Sequence, residues 1–424
     1  MQAVKTSNAD RVAATGPLSS FDCVVSGGGF AGLALALALA EALGDDFRVA
    51  VIDRRRDIGR VSADSRSYAL AAGGKRLLDV LGVWAAVAGE AQPVARIDIT
   101  DSTLESQLRP VILSYDNHIG GTEPATYIVP HMRLLEALIA TVQRHPSIRL
   151  VEGAAAGLTV ETSRIVVELT DGRRLAGSLA VAAEGRRSAL REAAGIRTIG
   201  WNYDQSGIVT TVAHARPHGG VAVQHFLPAG PFAILPLPGN RSCITWSEEA
   251  AEARRIMALD DTGFLSELEK RFGGRLGELT LAGPRQSWPL EMHLARRYVA
   301  GRLALIGDTA HGVHPIAGQG LNLALRDVAA LAEVVTDAAR LGLDIGNADT
   351  LAGYERWRRF DSSLSAAAFD SINRLFSSDG MLTRAVRDAG LGIVERLPQL
   401  KQFFVQEGAG VAGDIPRLMR GERL

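Results

Sequence analysis

This chain lacks several things, and each absence removes a class of protein. It has only two cysteines, Cys23 and Cys243, both inside apolar runs. That pattern reads as buried reduced thiols, not as a disulfide framework or a metal pair. Neither charge sign is in excess: 46 Lys plus Arg stand against 47 Asp plus Glu. No nucleic-acid or acidic-partner function follows from a balance of that kind. No apolar run is long enough to span a bilayer, and the most apolar stretch, from Phe30 to Leu43, falls well short. The opening MQAVKTSNADRVAATGPLSS has no apolar core of a secretory signal and reads as a disordered leader over residues 1–20. Internal repeats and low-complexity tracts are absent as well. No third ligand falls at a suitable spacing from His311 and His314, so no metal site is expected.

What is present points to an α/β fold. The 424 residues are too many for one small core, so more than one domain is expected. Glycine is abundant, at 45 residues, which suggests many tight turns or close backbone approaches. The apolar run FDCVV is followed by SGGGFAGLALALALAEAL and then by FRVAVIDRR. This is strand, glycine turn, Ala/Leu-rich helix and second strand, a βαβ unit.

Three motifs carry the chemistry. The first is Gly27-x-Gly29-x-x-Gly32, with Gly28, Phe30 and Ala31 between the glycines. Its first glycine permits the tight turn, the second lets a pyrophosphate reach the backbone, and the third lets the helix pack close to the strand. The helix N-terminus then faces the phosphates. Asp53, about twenty residues on, is placed to accept from ribose hydroxyls. Arg54 and the basic residues after it read as a solvated loop. An acid at Asp53 disfavours a 2′-phosphate there.

The second motif is RLALIGDTAHGVHPIAGQGLNLALRD, Arg302 to Asp327. A short buried strand ends at Gly307-Asp308. A helix begins near Gly320, with Leu321, Leu325, Val328, Leu331 and Val335 on one face. Gly318 and Gly320 keep its start free of bulk, so a planar ligand that gains negative charge is stabilised by the amides. A reduced flavin gains charge in that way; an oxidised nicotinamide does not. The third motif, AVAAEGRRSALR, runs a strand into Glu184-Gly185-Arg186 and a helix. Elsewhere, Asp171-Gly172 marks a hairpin, residues 208–246 read as antiparallel sheet, 248–276 as helical, and the chain after Asp327 as mostly helical to about Phe404.

Taken in this order and at these separations, the motifs resemble the aromatic-hydroxylase group of flavoprotein monooxygenases. The resemblance is strongest to the ubiquinone-biosynthesis hydroxylases, through DSRSYALAAGGKRLLDVLGVW, FLPAGPFAILPL and HPIAGQGLNLALRD. It covers roughly residues 20–400 and implies the para-hydroxybenzoate hydroxylase fold: a Rossmann-like FAD-binding domain, an inserted mixed β-sheet substrate domain and C-terminal helices. The expected boundaries are 21–92, 125–195 and 296–345 for the FAD domain, 93–124 and 196–295 for the substrate domain, and 346–424 for the helical region.

The resemblance further implies non-covalent FAD, reduced by NADPH or NADH without a second Rossmann domain, or by a ferredoxin. It implies oxygen transfer through a flavin C4a-hydroperoxide to a polyprenyl-phenol in ubiquinone biosynthesis. Another small aromatic substrate, or a non-catalytic flavin-binding scaffold, is the alternative. Arg66 is expected at the FAD phosphates or ribitol, Asp308 at the ribitol, and Gly320, Leu321 and Asn322 along the isoalloxazine. His131 stands where the family often has Arg, Gln or Asn, and reads equally as a donor or a core residue. His311 and His314 read as packing residues. Glu184 replaces the family's usual Asp, which leaves its contact with NAD(P)H or FAD open, together with that of Gly185 and Arg186. No catalytic base is expected, because the phenol activates its own ring. The strand from Pro231 to Pro238 is the expected apolar wall of the substrate channel. The protein reads as cytoplasmic, with peripheral contact at the inner face of a membrane or a quinone-synthesis complex as a further expectation.

Overall fold

A computed structural model describes residues 17–54, 64–101, 104, 109–313, 318–359, 361, 405–406 and 408–424. The expectations for residues 1–16, the basic run after Arg54, His314 and most of the span 360–404 lie outside the described residues.

Chain order explains the layers. The front unit is β1 (Cys23–Ser26), α1 (Phe30–Leu43) and β2 (Val49–Asp53), followed by β3 (Ser67–Ala71) and β4 (Arg96–Asp101). Next come α2 (His131–Arg144), β5 (Ile148–Glu152), β6 (Leu179–Ala182) and the short α3 (Ala189–Ala193). A run of long strands follows: β7 (Thr198–His214), β8 (Val221–Leu227), β9 (Gly230–Leu237) and β10 (Arg241–Glu249). Two helices, α4 (Ala250–Met257) and α5 (Asp261–Phe272), precede β11 (Gln286–Ala295), β12 (Leu303–Leu305) and α6 (Gly320–Arg340).

The first sheet has the order β5-β2-β1-β6-β12, extended by an antiparallel strand over Val299–Ala300. Its other pairings are parallel. Continuous apolar strands such as CVVS, VAVID and LAVA suit a sheet covered on both faces. Helix α1 is buried from Gly32 to Ala40 and packs against α6. Alanine on α1 and glycine at Gly307 permit that close approach. A methyl group at Gly307 would stand 3.2 Å from Ala324 and 3.5 Å from Ala31.

The second sheet has nine strands. Its path runs from His311–Gly312 through β11, β7, β10, β9, β8 and β4 to Val111–Asp116, with Leu279–Leu281 beside β7. Strand β11, paired along its length with β7, also pairs with His311–Gly312 in the glycine-rich segment after β12. One side of the sheet is closed by α4 and α5: Phe232, Ile234, Ile244 and Trp246 join Ile256, Phe264, Leu268 and Phe272 in one core. The other side looks toward β3, through a cluster of Val209, Ala222, Leu237 and Cys243 with Ala69 and Ile128. Period-two alternation therefore splits the strand read as a single apolar wall. Phe232 and Ile234 belong to the helical side, and only Leu235 and Leu237 join the cluster facing β3. Cys23 and Cys243 are buried free thiols, and burial raises the pKa of both.

Candidate cofactor and substrate site

The glycines of the first motif are each shaped by a neighbour. Gly27 has φ of +118°, and a methyl group there would meet the Ala183 carbonyl oxygen at 2.1 Å. At Gly32 it would lie 1.9 Å from the Gly27 carbonyl oxygen. At Gly28 it would lie 2.5 Å from the Asp53 carboxylate, which accepts the Gly28 amide at 2.9 Å. Gly29 faces open space, as the approach of a ligand to the backbone requires. The first backbone bond of α1 runs from the Leu33 amide to the Gly29 carbonyl, and no side chain caps the helix. Asp53 thus braces the turn from the end of β2, while Arg54 is exposed beyond it.

The second motif closes on the first through a buried ion network. Gly307 adopts a positive φ of +59°, and its amide donates to Asp327 Oδ2 at 2.9 Å. His311 Nε2 lies 2.6 Å from the same oxygen, and Arg358 Nε donates to the other at 2.8 Å. All three side chains are essentially inaccessible. Burial disfavours the Asp327 carboxylate, but His311 and Arg358 outweigh it and hold its pKa below the usual range. His311 is therefore a packed, hydrogen-bonded residue. Asp308, next to Gly307, is exposed, and its carbonyl accepts from His293 Nε2 at 2.7 Å.

At the start of α6, Gly318 has φ of +63° and packs over Ala69, whereas Gly320 faces open space. Leu321 is buried. The Asn322 side chain spans to β3: its Nδ2 donates to the Ala69 carbonyl at 2.8 Å, and its Oδ1 accepts the Ala71 amide at 2.9 Å. That side chain ties the helix to β3, so what it leaves open is its backbone and its neighbours.

Glu184 bridges elements. Its carboxylate accepts from Ser26 Oγ at 2.8 Å, from the Leu190 amide at 3.1 Å and from the Ser188 hydroxyl. Ser188 caps α3 by accepting the Arg191 amide. Arg191 then joins the third motif to the second, donating to the carbonyls of Thr309 at 3.1 Å and Arg186 at 2.9 Å. Thr309 donates to the Gly185 carbonyl at 3.2 Å. Three segments far apart in sequence are locked together at one end of the parallel sheet.

A polar cluster lies beside them. Arg66 makes a forked pair with Asp64, Nε to Oδ1 at 3.0 Å and Nη2 to Oδ2 at 2.6 Å. Burial works against the Arg66 cation, but Asp64 first, then Tyr68 and Asp308, raise its pKa. Tyr68 Oη lies 3.0 Å from His131 Nδ1, and Phe30 meets both rings edge-on. Burial pushes the Tyr68 hydroxyl up to about 12. His131 opens α2 and takes its place in this cluster through Tyr68 and, at 3.7 Å, Asp64. Arg66 also covers the Trp288 ring at 5.5 Å. Asp64, Arg66, Arg186, Gln286, Ser287 and Trp288 line a pocket of about 470 Å³. Sequence reasoning reached Arg66 and Arg186 but missed Asp64, Tyr68, Gln286 and Trp288. The Asp-x-Arg-x-Tyr spacing along an alternating strand was the available signal for the first two.

These residues fit FAD on geometric grounds. Two helix starts, α1 and α6, come together across Gly307, each opening on a glycine whose Cβ direction is empty. Such starts favour phosphate and a ring that gains negative charge.

The comparisons agree. Residues 20–356 match the family model described as FAD binding domain. The chain is 43% identical to ubiquinone hydroxylase UbiL of Rhodospirillum rubrum, covering 97% of this chain and 96% of that protein. It is 32% identical to 3-demethoxyubiquinol 3-hydroxylase of Escherichia coli, over 92% of this chain and 98% of the relative. Among solved structures, p-nitrophenol 4-monooxygenase PnpA of Pseudomonas putida DLL-E4 superposes with a TM-score of 0.76, covering 93% of this chain and 100% of that one; at 17% identity it speaks for the fold alone. With the family model spanning most of its length and a ubiquinone hydroxylase 43% identical over nearly all of it, the chain belongs to the FAD-binding monooxygenase family of the ubiquinone hydroxylases.

Proposed function

We propose that this protein is an FAD-dependent monooxygenase that hydroxylates the aromatic ring of a prenylated ubiquinone precursor. The observation that carries the reading is the meeting of the α1 and α6 starts at one end of the parallel sheet, opposite the partly open face of the nine-stranded sheet. When bound and reduced by NADPH or NADH, FAD would supply the activation of dioxygen, of which one atom enters the ring and the other leaves as water.

In this reading the chain's own residues bind, orient and exclude water. Gly27, Gly28, Gly29, Phe30, Ala31 and Gly32 take the pyrophosphate against the start of α1. Asp53 holds the Gly28 turn and faces the adenosine ribose. Arg66 and His131 flank the ribityl side, and Asp308 accepts from its hydroxyls. The α6 start at Gly318, Gly320, Leu321 and Asn322 offers amides to the ring edge that gains charge. Arg186, next to Gly185, borders with Arg66 the pocket of about 470 Å³ where an anionic NADPH or NADH would approach. Glu184 supports this end by holding Ser26, Ser188 and Leu190 together. The apolar sheet face shields the reaction from water, which suits a phenol that carries its own activation.

Among the described residues no helix is long and apolar enough to cross a membrane. A prenylated substrate partitions into lipid, so the reading places the working protein at a membrane surface or in a complex that delivers the substrate.

The test is turnover of the full chain, loaded with FAD and given NADPH or NADH, with a short-chain prenylphenol under ¹⁸O₂. Incorporation of one labelled oxygen into the ring is the expected result. A yellow protein that consumes oxygen only to release hydrogen peroxide, at a rate the phenol does not alter, overturns the reading and leaves a scaffold.

A further inference from the structure

One polar side chain on the nine-stranded sheet is out of keeping with its surroundings. Gln224 lies on β8, in register with Ala233 of β9 and Ile99 of β4. Strand alternation puts it on the side of Ala222, which packs with Ala69 and Ile128, and not on the side of Val223, which joins the helical core. Its amide nitrogen is cut off from solvent and has no hydrogen-bond partner. Native interiors rarely leave such a group unpaired, because it forfeits its hydration without replacement.

The surroundings are not a sealed interior. Ile97, Ile99, Ala233, Leu235 and Thr245, all on this side, are only half-buried. On the opposite side of the same strands Val223, Phe232, Ile234, Ile244 and Trp246 are at most 6% exposed. The contrast marks the strip around Gln224 as a thinly covered wall, next to the fully buried Val209, Ala222, Leu237 and Cys243 on the same side. Its members are apolar except for Gln224 and Thr245. Leu235 belongs to the same cluster as Ala69, whose carbonyl accepts the Asn322 amide at the start of α6. The wall and the proposed flavin site are therefore joined through one residue of β3.

We propose that Gln224 is the specificity residue for the substrate ring, its side-chain N–H donating to an oxygen carried by that ring. The proposal rests on the hydroxylase reading above and narrows it. The ligand class is an aromatic ring with a hydroxyl or ether oxygen on one edge and hydrocarbon on the other. The apolar wall takes the hydrocarbon, and the single amide fixes which edge of the ring turns inward. The ring carbon offered to the flavin is then set by its spacing from that oxygen.

The experiment uses the full FAD-loaded chain and two probes, 2-allylphenol and its oxygen-free analogue allylbenzene. Binding is read from the change each produces in the flavin absorption band. Wild type is expected to prefer the phenol on the order of tenfold, the contribution of one hydrogen bond that would otherwise go unmade. Gln224→Met and Gln224→Leu should bind the two probes almost equally, chiefly by weaker binding of the phenol. Both variants should melt no lower than wild type, because the amide has no partner in the protein to lose. A phenol preference that survives both substitutions removes Gln224 from the role. A clear drop in melting temperature overturns it too, by showing that the amide holds the fold. If neither probe alters the wild-type flavin spectrum, the hydroxylase reading fails first and takes this assignment with it.

Discussion

The two faces of the nine-stranded sheet are made from the same strands and have opposite characters. The face under α4 and α5 is filled by large side chains, Phe232, Trp246, Phe264 and Phe272, and sealed by an ion pair between Arg271 and Glu248, both nearly inaccessible. Arg271 also stacks over Trp246 at 4.4 Å. The face toward β3 is built of smaller residues, several of them half-buried, and holds an amide without a partner. One side is packed for stability. The other is only partly covered along the strip around Gln224, which suits a site carried on a rigid support.

The largest effect separating support from site is expected at the glycine turn. Gly32→Val would drive side-chain atoms into the Gly27 carbonyl, and a cost above about 4 kcal/mol is expected. Expression with flavin-content measurement should give no folded yellow protein. Next comes a paired test across the sheet. Phe232→Ala, on the sealed face, should lower unfolding free energy by about 3–5 kcal/mol. Leu235→Ala, on the half-buried wall, should cost less in denaturant and more in binding of the prenylphenol. Equal stability losses would abolish the distinction between the faces.

A third prediction concerns pH. His225 is held neutral, its pKa lowered to about 4, first by burial and then by the charges of Arg109 and Arg275. Its Nδ1 lies 2.6 Å from the Thr100 hydroxyl. The unfolded chain takes up this proton near pH 6.5, whereas the folded chain resists to about 4. Stability should therefore be full above pH 6.5 and fall through that window by about 3 kcal/mol, with the unfolded state binding more protons. Urea unfolding at pH 7.5 and pH 5 measures the loss, and His225→Asn should reduce its slope. The smallest effect is expected at Asp308. Its exposed side chain makes Asp308→Ala cheap for folding, but the variant should hold FAD on the order of tenfold less tightly, by equilibrium dialysis. A variant that stays fully yellow with unchanged affinity removes Asp308 from the proposed cofactor contacts.

How much of this was legible in the sequence follows from the range of each interaction. The turn from Gly27 to Gly32 and the start of α6 are local: the glycine spacing, the flanking strands and the apolar periodicity sit within a few residues of one another. Asp53 was legible because a βαβ unit fixes its distance from the glycines. The sheet faces were not, because Phe232 and Leu235 look alike in composition and differ only by alternation against elements contributed from elsewhere. Gln224 gives no signal in sequence, since an unpaired amide is defined by neighbours on β4 and β9. Glu184 was legible as a strand end before a helix. That its carboxylate reaches Ser26 depends on the parallel pairing of β6 with β1, which sequence spacing does not specify.

The carboxylate of Asp327 has a consequence beyond the cofactor loop. It takes one bond from the backbone just before Asp308 and another from Arg358, some way further along the chain. Removing Arg358 would leave that buried carboxylate with His311 and the Gly307 amide as its remaining partners, and the backbone it grips would shift to compensate. Damage at Arg358, remote from any glycine motif, should therefore be felt as a loosened grip on the yellow prosthetic group, long before the rest of the fold gives way.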